Sequence, residues 1–282
     1  KADASFTYLL EQNVTSLDPQ TASNSAAELV ISSLFEGLCR IDEDGEAIPG
    51  VARSWEANSD STEFTFHLRR NAQWSDGTPL TAKDYVFAML LENSNEMSEV
   101  DGYPCNSGYS VVGYDEWLAG TADTFAGVHL VDDMTYSITI KAEELPYHYD
   151  ITYASARPRP LHVIAPDCDV EDTENGATIT GEFTTELLQE TINNPETGYR
   201  YNPKVTCGPY LFDSFDEAGQ QATLKANPEF VGDYRGVKPS IETLVIKTVS
   251  SDTMMNELEA GTVDVLYSAS GGDTINAGLD LV

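Results

Sequence analysis

The chain has 282 residues, with 15 basic and 47 acidic side chains and a formal charge of −32. That balance argues against a nucleic-acid reader, which needs a basic face to displace counterions from phosphates, and against adsorption to an anionic membrane surface. A hydrophobic content of 41% with 10% aromatics is globular, and the length allows roughly two structural units with a core large enough to need no staples.

Phe6–Leu10 is a short apolar run fit for a buried strand, and Leu17-Asp18-Pro19 a turn, because the residue before proline avoids helix. Leu29, Val30, Leu34 and Leu38 have helical spacing, which predicts a helix over 26–38. Gly45 and Pro49-Gly50 punctuate the loop that follows. Residues 63–68 alternate as a two-faced strand, with Phe64, Phe66 and Leu68 on one side. Ser75-Asp76-Gly77-Thr78 is a turn. Thr81 then caps a helix, with Asp84 completing a capping-box pair and Tyr85, Val86, Met89 and Leu90 facing inward.

Residues 92–127 are rich in Gly, Asn and Ser, and only a helix over 114–119 is predicted there. A strand follows at 135–140. Pro146 is expected to open an aromatic helical turn through Tyr147, Tyr149 and Tyr153. The run Arg157-Pro158-Arg159-Pro160 reads as a rigid crossing, since its prolines donate no backbone hydrogen bond. Residues 167–176 read as an acidic loop and 186–193 as a short helix. Strands at 208–215, 221–226 and 243–248, a helix at 251–260 and a strand at 263–266 complete the series. The mixture without strict alternation predicts an α/β class with a mixed sheet.

No stretch reaches the roughly 18 apolar residues of a membrane span. The opening Lys1-Ala2-Asp3 does not resemble a leader, which leaves a cytosolic protein or a processed export product. Residues 271–282 read as the start of a further element, so sequence is expected to continue beyond them. Cys39, Cys105, Cys168 and Cys207 form no C-x-x-C pair, and their pairing stays open.

Catalytic patterns fail one by one. Gly108-x-Ser110 meets Val112 where a nucleophile elbow needs glycine. The phosphate-binding glycine motifs are absent, and the four histidines lack H-E-x-x-H spacing. Asp167, Asp169, Glu171 and Asp172 approach a calcium loop but place Asp172 where its tight turn needs glycine, so a solvated acidic loop is the better reading. Tyrosines concentrated between 103 and 153 suit either a ligand cleft or an aromatic-plugged core.

The segment 64–84 (FTFHLRRNAQWSDGTPLTAKD) closely resembles the signature of the extracellular solute-binding proteins of ABC importers that carry peptides, the oligopeptide- and dipeptide-binding family 5. Leu17-Asp18-Pro19, the segment 34–38 (LFEGL), the segment 49–56 (PGVARSWE), the segment 206–210 (TCGPY), the segment 224–228 (LKANP) and the segment 261–264 (GTVD) resemble further family landmarks in the same order. The resemblance implies a type II periplasmic-binding-protein-like α/β lobe, a mixed sheet carrying an inserted smaller α+β domain. Domain I would take 1–43 and 161–282, and the inserted domain II 44–160. A second lobe would come from sequence outside this chain. Half a cleft would then bind peptide weakly or undetectably.

The resemblance also implies a site. The ligand-facing loop would be Ala22, Ser23, Asn24 and Ser25, whose main chain could pair with an extended peptide. Tyr103 or Tyr109, and Tyr153, would line the cleft. Trp74, Asp76 and Gly77 would shape a strand-turn-helix corner. No catalytic residue, metal or cofactor is implied. The partners would be short peptides and ABC permease subunits, with no nucleic acid, for a monomer held by lipid at the extracellular face of the cytoplasmic membrane or free in the periplasm. Cys207, Arg157 and Arg159 depart from the best-known members and leave the ligand class open, with a nickel complex, heme or oligosaccharide as alternatives on the same fold. An acidic extracellular hydrolase is the rival from another class.

Overall fold

A computed structural model of the chain describes residues 5–10, 17–19, 25–147, 152–153, 156–216, 218–267 and 272–279. In chain order these form β1 (Ser5–Leu10), α1 (Ser25–Leu34), β2 (Cys39–Ile41), β3 (Ala47–Pro49), β4 (Ala52–Ala57) and β5 (Glu63–Leu68). Helices α2 (Ala82–Glu92), α3 (Asn95–Asp101) and α4 (Tyr114–Leu118) precede β6 (Val128–Asp132), β7 (Thr135–Thr139) and a 3-10 helix over Ala142–Tyr147. Then come α5 (Leu161–Ile164), β8 (Asp169–Thr173), β9 (Gly176–Thr180), α6 (Thr185–Thr191), β10 (Tyr210–Asp216) and β11 (Gln221–Ala226). The described chain closes with β12 (Thr243–Thr248), α7 (Ser251–Glu259), β13 (Val265–Leu266) and α8 (Gly272–Leu279).

A mixed sheet runs in the order β10-β11-β12-β1-β13. Its β10-β11-β12 side is antiparallel, while β12 and β13 both run parallel to β1. Parallel strands joined in sequence need a crossover, and α7 supplies it by setting Met254 against Leu9 and Val263. A second sheet, β4-β5-β7-β6, is antiparallel throughout. On it Phe64, Phe66 and Leu68 alternate onto the buried face. Helix α2 covers that face. Tyr85 stacks on Tyr136 of β7 with centroids 5.5 Å apart, Tyr136 stacks on Phe66 at 5.2 Å, and Tyr153 meets Phe66 edge-on at 4.6 Å.

The start of α2 follows from its sequence. Asp84 Oδ2 accepts the Thr81 N–H at 2.9 Å and closes the capping box. Burial pushes the Asp84 carboxyl up to about 6, against the hydrogen bonds it accepts. Its carbonyl accepts the Arg159 N–H at 3.1 Å, which pins the otherwise irregular 156–160 crossing to α2. Before the cap, Gly77 turns at φ 86° and Trp74 is fully buried, as a corner plug should be.

Four local expectations are corrected. Helix α1 ends at Leu34 rather than Leu38, because the next backbone groups bond elsewhere: Leu38 N donates to Ala156 O, and Gly37 O accepts from Val51 N. Leu38 stays fully buried without being helical. The acidic loop at 167–176 is instead the start of the β8–β9 hairpin, where partners absorb the charge: Lys83 Nζ lies 2.6 Å from Asp169, and His129 Nδ1 lies 3.1 Å from Asp172. The stretch after residue 92 holds α3, capped by the Ser94 hydroxyl accepting from Met97 N and ended by Gly102 at φ 76°. The turn expected to open at Pro146 is a 3-10 helix that begins at Ala142, and Tyr149 lies outside the described residues. Among the described residues no helix is long and apolar enough to cross a membrane.

Gly208 shows how tightly the chain packs on the end of α1. Its N–H donates to Leu34 O at 2.7 Å, and a Cβ built on it would meet Leu34 C at 2.5 Å and Phe35 N at 2.7 Å, all backbone. Gly208→Ala is expected to destabilise the fold by about 1–3 kcal/mol, read as a lower urea midpoint at unchanged slope.

Candidate functional site

Between α1, α2 and β7 lies a cavity of about 370 Å³. Ile31, Met89, Ile138 and Ile140 supply apolar wall, and Tyr85, Tyr136 and Tyr153 supply aromatic wall. Pro19 and the 105–107 segment stand at its edge with Glu28, Glu92 and Arg157. Each charged group is paired. Arg157 Nη2 lies 3.0 Å from Glu28, and Arg159 Nε lies 3.1 Å from Glu92.

Beneath this wall sits a buried ion cluster. Asp18, fully buried, accepts from Arg159 Nη2 and, at 3.2 Å, from Arg200 Nε. Arg200 also reaches Asp101 at 2.5 Å and Asn193 at 3.0 Å. Burial works against the Arg159 charge, but Asp18 and Glu92 outweigh it and hold its pKa above the ordinary value. Burial raises the Glu92 and Asp101 carboxyls, with Arg159 and Arg200 opposing. The cluster holds the Leu17–Pro19 turn against the ends of α2 and α3.

The expected site residues fall unevenly on this geometry. Ala22, Ser23 and Asn24 lie outside the described residues, and Ser25 is the first residue of α1, three residues before Glu28. Tyr153 lines the cavity and is 6% exposed. Tyr103 and Tyr109 are 55% and 50% exposed and stand outside the lining, whereas Cys105, Asn106, Ser107 and Ser110 of the same loop belong to it. The loop is anchored by Gly108 N donating to Asn93 Oδ1 at 2.9 Å and by Tyr114 Oη donating to Cys105 O at 2.5 Å. Sequence reasoning missed Tyr136 and the Glu28–Arg157 pair, and placed Tyr85 and Met89 only as inward-facing core. The helical spacing that turned Tyr85 and Met89 inward was the available signal.

A wider cavity of about 660 Å³ opens on the other side of Arg157, with Phe35, Glu36, Arg40, Tyr210 and Asp233 in its wall. Glu36 Oε2 pairs with Arg69 at 2.6 Å, while its Oε1 has no hydrogen-bond partner among the described residues. Burial pushes the Glu36 carboxyl up to about 7 despite Arg69 and Arg40. Cys39, Cys105, Cys168 and Cys207 are unbridged thiols, and burial pushes Cys207 up to about 12. Among the described residues no three His, Cys, Asp or Glu side chains are grouped to hold a metal ion.

Comparison with known proteins places this geometry. The family model "Bacterial extracellular solute-binding proteins, family 5 Middle" matches residues 46–279. The periplasmic oligopeptide-binding protein OppA of Salmonella typhimurium is 40% identical over 259 residues, covering 90% of this chain and 41% of that protein. The solved structure of OppAIV from Borrelia burgdorferi, a periplasmic oligopeptide-binding protein, matches with a TM-score of 0.74 at 22% identity, over 99% of this chain and 50% of the other. Haemophilus influenzae OppA in complex with RPPGFSPFR matches at 0.71 and 21% identity, over 100% of this chain and 49% of the other. The fold is therefore that of type II periplasmic peptide-binding proteins, and the chain spans about half the length of these relatives.

Two measurements probe the buried charges. Asp18→Ala removes the carboxylate that two guanidinium groups share and is expected to cost about 3–5 kcal/mol of unfolding free energy by urea denaturation. Glu36 binds its proton more tightly folded than unfolded, so its contribution to stability falls as pH rises from 4.5 through about 7 and is flat above. Glu36→Gln should remove that slope, seen by comparing variant and parent across the window; Asp84 adds its own slope to both proteins below about 6.

Proposed function

Since the chain belongs to the bacterial extracellular solute-binding proteins of family 5, we propose that it forms the ligand-capturing part of an ABC importer for short peptides, with the cavity beside Tyr153 as part of the binding wall. The observation that carries this reading is the 40% identity, across 90% of the chain, to a protein named for binding oligopeptides. The cavity adds physical support. It is partly open and more apolar than polar, and its charges are already paired, as a surface that accepts varied side chains requires.

In this reading the protein is a non-enzymatic receptor that works as a monomer. It is lipid-anchored outside the cytoplasmic membrane or free in the periplasm, and it hands its ligand to permease subunits. Affinity comes from main-chain pairing of an extended peptide along the 22–25 loop, while roomy pockets tolerate its side chains. Domain I is assigned 1–43 and 161–282, and domain II 44–160. Sheet membership supports the division, because the mixed sheet takes its strands from 5–10 and 210–266 and the antiparallel sheet from 52–139. The facing wall of the cleft is assigned to the half of the relatives' length that this chain does not match, and closure of the two traps the ligand.

Native mass spectrometry of the whole protein, purified gently from its own cells, tests the reading. A ladder of co-purifying short peptides is expected. A single non-peptide mass would move the ligand class elsewhere on the same fold. An empty protein that turns over a glycan or peptide would overturn the receptor role.

A further inference from the structure

We propose that the wider cavity on the other side of Arg157 is a second binding site, apart from the peptide wall, for a small molecule that carries a carboxylate on an apolar body. Nothing in the receptor reading requires this site, and the two stand or fall separately.

Size and apolar wall set the first limit. About 660 Å³ lies within the usual range of small-molecule sites. Ile41 and Val237 line it with 41% and 56% of their surface exposed, and Pro209 and Pro239 add to the same wall. An apolar guest would cover surface that now faces water. Charge sets the second limit. Arg40, Arg157, Arg235 and Lys238 line the cavity against only Glu36 and Asp233, in a chain with 15 basic and 47 acidic side chains. The wall reverses the balance of the chain.

The cations of this wall are accessible and their shared anion is not. Arg40 and Arg235 keep 48% and 62% of their side chains exposed, whereas Asp233 keeps 8%. Both guanidinium groups meet the same Asp233 oxygen, Arg40 Nη1 at 3.4 Å and Arg235 Nη2 at 2.9 Å. The other Asp233 oxygen accepts the Arg235 and Val237 N–H groups, each at 2.9 Å. One carboxylate therefore answers two full positive charges. Arg40 Nη2 and Arg235 Nη1 bond to nothing among the described residues, and a guanidinium fork suits a second carboxylate. The Tyr234 ring lies under the Arg235 guanidinium, 5.4 Å to its centroid, and steadies it. Lys238, exposed, has no carboxylate partner among the described residues. Glu36 is held by Arg69 at 2.6 Å and Arg157 by Glu28 at 3.0 Å, so neither competes for the guest. Asp42, Glu43 and Asp44 line an adjoining groove with Arg40 and Arg235, but among the described residues none is in this wall or paired with either arginine. What the wall leaves unanswered is positive charge.

Calorimetric titration of the whole protein with 2-naphthoate tests the assignment, at about 0.15 M salt so that the chain's overall field is screened beyond about 8 Å. Saturable binding with a Kd of about 0.1–1 mM is expected, with the neutral 2-naphthalenemethanol about tenfold weaker or worse. Arg40→Gln, Arg235→Gln and Lys238→Gln should each weaken 2-naphthoate about three- to tenfold. Lys204→Gln, which removes the charge of an exposed lysine outside the wall, should leave its affinity unchanged. Excess tri-alanine should not displace it. No saturation below about 1 mM, equal binding of the neutral alcohol, unchanged affinity in the three wall variants, or displacement by tri-alanine would each overturn this inference. Each would leave the receptor reading standing. The neutral analogue reads the charge preference in the parent protein, so the test survives a variant that misfolds.

Discussion

The arrangement of the whole molecule depends on the pairing of the fully buried Asp18 carboxyl with two arginines. An isolated buried carboxylate costs several kcal/mol after relaxation, so the Leu17–Pro19 turn is tolerable only while Arg159 and Arg200 meet it. Those partners lie 141 and 182 residues away in sequence, so one side chain fixes three distant segments against each other. The acids it shares them with have their own need. Glu92 ends α2 and Asp101 ends α3, where the helix dipole disfavours negative charge. Each arginine therefore answers Asp18 and one helix terminus together, through separate nitrogens of a planar fork. A lysine, with one point charge, could not take these roles.

That cluster is also the foundation of the cavity. Pro19 follows Asp18 directly and Glu92 is held by Arg159, so two lining residues are placed by the ion pairs beneath them. Arg157 lies two residues before Arg159 on a segment stiffened by Pro158 and Pro160, and it carries the Glu28 pair to the rim. The aromatic wall is formed by Tyr85, Tyr136 and Tyr153, and Phe66, outside the lining, stacks on Tyr136 and meets Tyr153 edge-on. Rigidity thus comes from ionic contacts behind one wall and from ring stacking along the other.

What could be read in the sequence is what local chemistry decides. Alternation located β5, β12 was bounded at both ends, and Thr81 with Asp84 announced the start of α2. Long-range backbone bonds were invisible, so α1 read four residues too long where Leu38 pairs with Ala156. Acidity misled at 167–176, since an acidic strand is unfavourable only until Lys83 and His129 stand beside it. Arg159 read only as part of a rigid crossing for the same reason. The cavity divided likewise: the family landmarks led to the expectation for Tyr153, which is found in the lining, but periodicity turns Tyr85 inward without saying whether it meets packed core or open cavity.

The surplus of acid and the neutrality of the cavity wall belong together. At −32 the chain repels anions at long range, a field that salt screens within about 8–10 Å. Within the partly open cavity water screens less than in bulk, so an uncompensated charge would bias what enters. On the proposed reading, pairing Glu28 with Arg157 and Glu92 with Arg159 removes that bias and leaves shape and neutral hydrogen bonding to discriminate. On the proposed reading of a receptor for many peptide sequences this neutrality has a use, because a bare charge in a shared pocket would admit one class of side chain and exclude the rest.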